Sequence, residues 1–237
     1  MKRITIVIFA VALSITFSPT YVANATLWDR GGGLIYDDDL DITWLQDANY
    51  AMTSGYDADG LMNWLPAVTW ADELEYYDSE RDVTWDDWRL PITVDGPYER
   101  GYDGTTTGGW NITTSEMGYM FYESLGNLGY YALDGTYPQP GWGLNNTDPF
   151  INLQPKRYWS GTEYGANPAS AWDFTFYSQV NKAETGRQTT EAKADYNNRY
   201  AWAVMDGDVA PILEPATILL LGTGLIALVG FRRKFRK

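Results

Sequence analysis

The sequence predicts an α+β domain in which two helices accompany several short strands, with long loops and a C-terminal transmembrane helix. Two segments repeat apolar residues at helical spacing, and others alternate apolar and polar residues as half-buried strands do. A third observation is an uncharged run from Pro215 to Phe231, which basic residues follow. Together these patterns predict one exported domain of residues 26–210 between two terminal targeting segments.

Residues 1–25 have the features of a secretory signal peptide. Lys2 and Arg3 form a basic start, residues 4–17 form an apolar core, and Ala23 and Ala25 form a small-residue cleavage site. Signal peptidase is therefore an expected partner, with cleavage after Ala25. A retained N-terminal anchor is the less favoured alternative, because the apolar core is short.

The domain between the two targeting segments is strongly acidic. It contains 10 of the 17 basic residues and 30 of the 31 acidic residues, which gives it a net charge of −20. Nucleic acid and anionic lipid are therefore poor partners. The chain has no Cys and no His, which excludes disulfides, thiol nucleophiles and imidazole bases.

The domain begins with two predicted strands around an acidic turn. Leu34-Ile35-Tyr36 and Ile42-Thr43-Trp44-Leu45 flank the cluster Asp37-Asp38-Asp39. Oxygen ligands of this cluster could hold calcium. A solvated turn is the favoured interpretation, so we expect no cofactor and keep calcium as the alternative.

Two helices are predicted next along the chain. The first runs from Leu65 to Tyr77, with Pro66 in its first turn. The second begins at a capping box of Thr113 and Glu116 and ends near Gly126. Both helices have one apolar stripe and are expected to pack on the core.

A distinctive segment lies between these helices, at residues 85–91. Arg89 is its one basic residue and is flanked by Asp87 and Trp88, with Pro91 at the end. This composition suits a charge-assisted pair or a cation–π contact. We interpret the segment as a structural motif that clamps the helix to the sheet, in preference to a binding site.

A long loop and three strands complete the domain. Residues 128–155 are rich in Gly, Pro, Asn and Tyr and have no period, and long loops on a rigid scaffold commonly carry binding sites. Three strands are predicted, from Tyr158 to Glu163, across residues 172–177, and from Tyr200 to Met205. The second of these is expected to be half-buried, and the polar residues 181–198 are expected to connect it to the third. Because aromatic, amide and acidic side chains suit sugars, the candidate ligand-binding residues are Tyr137, Trp142, Asn145, Trp159 and Glu163.

The C-terminal tail resembles the PEP-CTERM sorting signal of bacterial exported proteins. Glu214, Pro215 and Ala216 precede the apolar run, and Arg232 and Arg233 begin the basic end. The 17 uncharged positions span roughly 25 Å as a helix, less than the roughly 30 Å of a bilayer core. The sorting segment spans residues 211–237, and the resemblance implies transient membrane insertion, recognition by an exosortase and removal of the tail near the Glu-Pro motif. Leu213 replaces the proline usual in this signal, and an uncut single-span anchor is the alternative.

The domain itself resembles the Lcl C-terminal domain family of bacterial surface proteins. Five ordered segments carry the resemblance, namely Thr43–Ala48, Asp87–Pro91, Ser115–Met120, Tyr158–Glu163 and Ala201–Gly207. The resemblance implies a single C-type-lectin-like domain, distantly related to formylglycine-generating enzymes, with two helices on a twisted, mostly antiparallel sheet. The cysteine chemistry of those enzymes does not carry over to this chain.

The functional prediction is a non-catalytic protein of the cell surface or extracellular matrix that binds extracellular polysaccharide or acts in adhesion. No catalytic residue and no metal ligand is assigned. A carboxylate-only glycosidase is one alternative, with Asp87, Glu116 and Glu163 as conceivable partners. A purely structural matrix protein is the other.

Overall fold

Short strands make up most of the regular structure of this α+β protein, as the sequence predicted. A computed structural model describes residues 27–178, 182–194 and 199–209. The signal-cleavage residues, the sorting residues and the predicted transmembrane helix lie outside this part of the chain. Within it, no helix is long and apolar enough to cross a bilayer.

The first sheet joins the beginning of the domain to its end. Its strands are antiparallel and lie in the order β1-β2-β3-β12. They are β1 (Leu27–Asp29), β2 (Leu34–Asp37), β3 (Ile42–Leu45) and β12 (Val204–Asp206). Arg30 strengthens this closure, because its guanidinium bonds both carboxylate oxygens of Asp208 at 2.8 and 2.6 Å.

The β2–β3 hairpin is repeated by a second hairpin, β4 (Tyr76–Asp78) and β5 (Val83–Trp85). Residues 36–44 and 77–85 share the pattern Tyr-Asp-x-x-x-Asp-(Ile/Val)-Thr-Trp, an internal repeat that the sequence analysis missed. In each copy the first Asp accepts the backbone N–H groups two and three residues ahead. The second Asp has a positive φ and accepts the Tyr hydroxyl at 2.9 Å.

The acidic cluster at residues 37–39 is therefore a hydrogen-bonded turn. Besides its two backbone bonds, Asp37 accepts the hydroxyl of Ser124 at 2.7 Å. Burial raises the pKa of Asp37 above its ordinary value, although these bonds oppose the shift. No group of three acidic side chains in the described ranges is arranged to hold a metal ion, and the calcium alternative stays a prediction.

The helices are short, and two of their predicted boundaries are wrong. They are α1 (Tyr50–Thr53), α2 (Trp64–Asp72) and α3 (Glu116–Tyr119), which continues as a π-helical turn, Met120–Ser124. Helix α2 ends before Tyr77 because residues 76–78 pair with β5 instead. Helix α3 is capped by Ser115, whose hydroxyl accepts the N–H of Gly118 at 3.1 Å, and not by Thr113.

The second sheet has six strands in the order β11-β8-β9-β10-β7-β6, with parallel pairs at both ends and antiparallel pairs between. The strands are β6 (Arg100–Gly101), β7 (Gly108–Gly109), β8 (Arg157–Glu163), β9 (Ser170–Thr175), β10 (Gln188–Ala192) and β11 (Arg199–Tyr200). Strand β10 lies in the stretch that was predicted to be only a polar connection. Its polar side chains can lie in the sheet because they form hydrogen bonds there. The Gln188 side chain, for example, donates to Thr107 O at 2.8 Å.

Strand β9 is buried on both faces, not half-buried as predicted. Its polar face is covered because Asp173 accepts Arg199 Nε at 2.9 Å and lies 3.8 Å from Arg157. Asp173 and Arg199 are each only 1% exposed. Burial raises the pKa of Asp173 to about 6, against the opposing charges of the two arginines.

The segment Ala201-Trp202-Ala203, through which the chain passes from the second sheet to the first, is buried in the core. The predicted strand from 200 to 205 is divided here into β11 and β12. The Trp202 ring lies 4.5 Å from that of Trp44 and 4.7 Å from that of Phe150, and its Nε1 donates to Leu45 O at 2.8 Å. A buried Trp at such a junction contributes several kcal/mol, on the order of 3 to 5 when truncated.

Candidate ligand-binding surface

The long loop at residues 128–155 is fixed to the end of α3 by a buried amide. Asn127 is 2% exposed, and its Oδ1 accepts the backbone N–H groups of Asn145 and Asn146 at 2.8 and 2.9 Å. Asn146 returns a side-chain bond to Leu125 O at 3.0 Å. The loop therefore has a defined position although it contains no helix or ladder strand.

Aromatic side chains from this loop and from the region around β6 and β7 pack together into one group. We call this group the aromatic surface. Neighbouring rings lie between 4.4 and 5.8 Å apart. Its members are Tyr102, Trp110, Tyr130, Tyr131, Tyr137 and Trp142.

Exposure changes across the aromatic surface. Trp110 is fully buried beneath it, with the Arg100 guanidinium 4.8 Å from its ring, within cation–π range. Tyr137 is 61% exposed, and Tyr130 and Trp142 are half-buried. Burial raises the pKa of the Tyr131 hydroxyl above its ordinary value. Rigid inner rings thus support outer rings that solvent reaches.

A cleft of about 300 Å³ lies beside the aromatic surface. Two copies of the sequence Asp-Gly-Thr, at residues 103–105 and 134–136, contribute to its lining: the first supplies its Asp and Thr, and the second supplies its Asp and Gly. In each copy the Asp Oδ1 accepts both the N–H and the hydroxyl of the Thr, at 2.7 to 3.1 Å. These threonine bonds lower the pKa of Asp103 and of Asp134, so both are ionised.

Asn111 joins the two walls of the cleft. Its Nδ2 donates to Tyr102 O at 2.6 Å and to Tyr131 O at 3.0 Å. The residue has a φ of 58°, which Asn tolerates better than most side chains. Gly104 packs so closely that an added Cβ would lie 2.2 Å from Asn111 O. Asn111 therefore ties the chain at Tyr102 to the chain at Tyr131.

Three of the five predicted ligand-binding residues meet at the aromatic surface. The rings of Tyr137 and Trp142 lie 5.8 and 5.2 Å from that of Tyr130. Asn145 is exposed beside them and donates to Gly141 O at 2.8 Å. All three come from one loop, which is why loop composition pointed to them.

The other two predicted residues lie elsewhere. Trp159 is fully buried, donates to Met62 O at 2.8 Å and stacks with Arg199 at 4.8 Å, so it cannot contact a ligand. Its assignment to binding was wrong because residue type does not reveal burial. Glu163 is exposed near the end of β8, where it pairs with Lys193.

The segment predicted as a clamp holds α3 to the first sheet. The Arg89 guanidinium bonds both carboxylate oxygens of Glu116 at 2.8 and 2.7 Å, and it bonds Asp206 at 2.6 Å. Burial disfavours the charge on Arg89, but these carboxylates outweigh that effect and raise its pKa. Trp88 is buried beside it, and Pro91 O accepts the Ser160 hydroxyl at 2.9 Å.

Asp87 does not pair with Arg89 but lines a separate acidic cleft of about 440 Å³. The other lining residues are Asp72, Asp86, Trp88 and Asp206. Of the three carboxylates considered for glycosidase chemistry, Glu116 and Glu163 are thus engaged in ion pairs, and only Asp87 faces a cleft.

Residues 214–234 match the family model of the PEP-CTERM protein-sorting motif. This match confirms the sorting signal predicted from the tail. No curated protein and no solved structure matches the chain. The chain is therefore an exported, cell-surface-directed protein whose sorting signal is recognised by an exosortase.

Proposed function

We propose that this protein binds carbohydrate of the cell surface or extracellular matrix through the aromatic surface, without catalysing a reaction. The observation that carries the proposal is the convergence of outer, solvent-reached rings on a rigid inner group of rings beside a cleft. Aromatic faces stack on the apolar faces of pyranose rings, and nearby amide and hydroxyl groups fix their orientation. Because the inner rings are already ordered, little conformational entropy is lost on binding.

We further propose that the tail is an anchor only until an exosortase removes it near Glu214 and Pro215, which releases the domain into the matrix. The measurement is the intact mass of the protein in its exporting host. A mature form that begins at Thr26 and ends near Glu214 is expected. A full-length tail retained in the membrane would instead make the protein a permanently anchored surface domain.

A relationship to the Lcl C-terminal domain and the C-type-lectin-like fold is part of the same proposal. It is supported by what the motif residues do here. Trp44 and Trp202 form the junction of the two sheets, Arg89 ties the helix to the first sheet, and Trp159 lies in the core. Residues with such linking roles are those that a shared fold would retain.

A glycan array with the mature protein, purified from its exporting host, tests the function. We expect saturable binding to one or more polysaccharides and no change in the chain length of the bound glycan. Product formation would favour the glycosidase alternative. Failure of folded protein to bind any surface or matrix polysaccharide would favour a purely structural role and would contradict the proposal.

A further inference from the structure

The cleft between the two Asp-Gly-Thr turns is lined by two carboxylates, those of Asp103 and Asp134, and by no basic side chain among the described residues. We propose that this cleft selects sugars that carry a protonated amine, as an unacetylated hexosamine unit does, over their neutral or anionic counterparts. This inference rests on the proposed carbohydrate binding and concerns the specificity of the same surface.

The cleft suits one sugar ring. Its volume of about 300 Å³ is at the lower end of the range for small-molecule sites. Tyr102 and Leu133 supply apolar lining, and Leu133 is 66% exposed. The Tyr102 ring is held by Trp110 at 5.5 Å and by Tyr131 at 4.5 Å, so it offers a fixed platform.

Two carboxylates contribute to the lining of this platform. Asp103 and Asp134 each commit Oδ1 to the following Thr, which fixes the side chain and leaves the second oxygen directed away from that bond. Neither takes part in an ion pair among the described residues, whose salt bridges all involve other acids. An ammonium group on the ligand would supply the missing counter-charge, whereas a uronic acid would be repelled.

A bound metal ion explains these carboxylates less well. Calcium takes six to eight oxygen ligands, and no group of three acidic side chains within residues 27–178, 182–194 and 199–209 is arranged to hold a metal. An organic ammonium group needs no such complete shell. It can interact with one carboxylate or with both while the sugar ring contacts Tyr102.

The expected preference is moderate because both carboxylates are exposed. Exposed ion pairs typically change an equilibrium constant by less than about fivefold each. We therefore expect a glucosamine oligosaccharide to bind about three- to tenfold more tightly than its N-acetylated counterpart of the same length. The preference should decline with added salt, because the carboxylates are screened.

The experiment measures the dissociation constants of the mature protein for these two oligosaccharides by titration calorimetry. Wild type is compared with the double variant Asp103→Asn/Asp134→Asn. Asparagine retains the Oδ1 acceptor of each turn, so the loss of charge is separated from the loss of structure. Asp57→Asn is the matched control, since Asp57 caps two backbone N–H groups in a turn outside the aromatic surface.

We expect the double variant to lose the preference for the free amine, so that its dissociation constants for the two oligosaccharides agree within about twofold. Asp57→Asn should keep the preference. In wild type, the preference should also disappear when the pH is raised until the amine is neutral. A wild type without the preference, or a double variant that retains it, would overturn the inference.

The design also separates this inference from the proposed function. Wild type could bind both oligosaccharides equally well, with Tyr137→Ala weakening the binding of the acetylated one. That result would overturn the charge selectivity alone. Absence of binding by both oligosaccharides and by every other glycan would overturn both.

Discussion

The Arg89 clamp connects one guanidinium to two carboxylates of very different exposure, which allows a sharp stability prediction. The Glu116 side chain is 13% exposed, and the Asp206 side chain is 80% exposed. Glu116 accepts two bonds from Arg89 and a third from the backbone N–H of Ile92 at 2.7 Å. Its replacement by Gln keeps one acceptor but leaves part of the guanidinium without a partner in a half-buried place.

We expect Glu116→Gln to lower the free energy of unfolding by about 1.5 to 3 kcal/mol, the usual range for hydrogen bonds to charged groups. Asp206→Asn should cost less than about 1 kcal/mol, because water screens and solvates an exposed carboxylate. Glu123→Gln removes a charge from an exposed position on the same helix, and we expect a change below about 0.5 kcal/mol.

Urea unfolding followed by tryptophan fluorescence measures all three variants, and unchanged m-values would show that the comparison is valid. The reasoning would be refuted if Asp206→Asn destabilised the protein as much as Glu116→Gln. Equal effects would mean that the contribution of each carboxylate to the free energy of unfolding depends on its charge and not on its burial.

Three further predictions follow from buried or strained groups. Asp173→Asn removes the buried carboxylate that Arg199 Nε bonds at 2.9 Å and leaves Arg199 its ion pair with the part-exposed Glu191 at 3.0 Å, so it should cost about 3 kcal/mol in urea unfolding; a loss below about 1 kcal/mol would contradict this. Burial opposes ionisation of Asp78, but bonds from Arg81 and the backbone outweigh it and lower its pKa. The stabilisation by the Asp78 carboxylate is therefore complete above its ordinary pKa and is lost as the pH falls through its lower pKa in the folded protein. In Asp78→Asn, the free energy of unfolding should consequently fall less steeply as the pH is lowered. Asn111→Gly should lose about 2 kcal/mol for its two side-chain bonds, and Asn111→Ala about 1 kcal/mol more because of its positive φ; equal losses would show that the backbone is not strained.

Local patterns predicted the parts of the fold that depend on nearby residues. The strands around the acidic turn and the existence of two core helices are such parts. The half-buried assignment of β9 was wrong because Asp173 is buried by arginines that lie far away in sequence. Strand β10 was missed for the same reason, since its Gln188 is satisfied by a carbonyl near β7.

The candidate site could be predicted only where one loop supplies it. Tyr137, Trp142 and Asn145 lie within nine residues of each other, and loop composition was enough to select them. Tyr102 and Trp110 belong to a distant segment, and only the fold places their rings beside that loop. The repeated Asp-Gly-Thr sequence was a usable signal for the cleft, because each copy predicts the same side-chain-capped turn.

The central claim is that outer rings of the aromatic surface bind carbohydrate, and two matched tyrosines test it most directly. Tyr137 is 61% exposed on the aromatic surface, and Tyr77 is 59% exposed on the second hairpin. The measurement is the dissociation constant of the mature protein for the polysaccharide that the glycan array identifies. We predict that Tyr137→Ala weakens binding about tenfold or more, as expected for a lost stacking partner, while Tyr77→Ala changes it less than twofold. Equal effects of the two variants, or no effect of Tyr137→Ala, would contradict the claim.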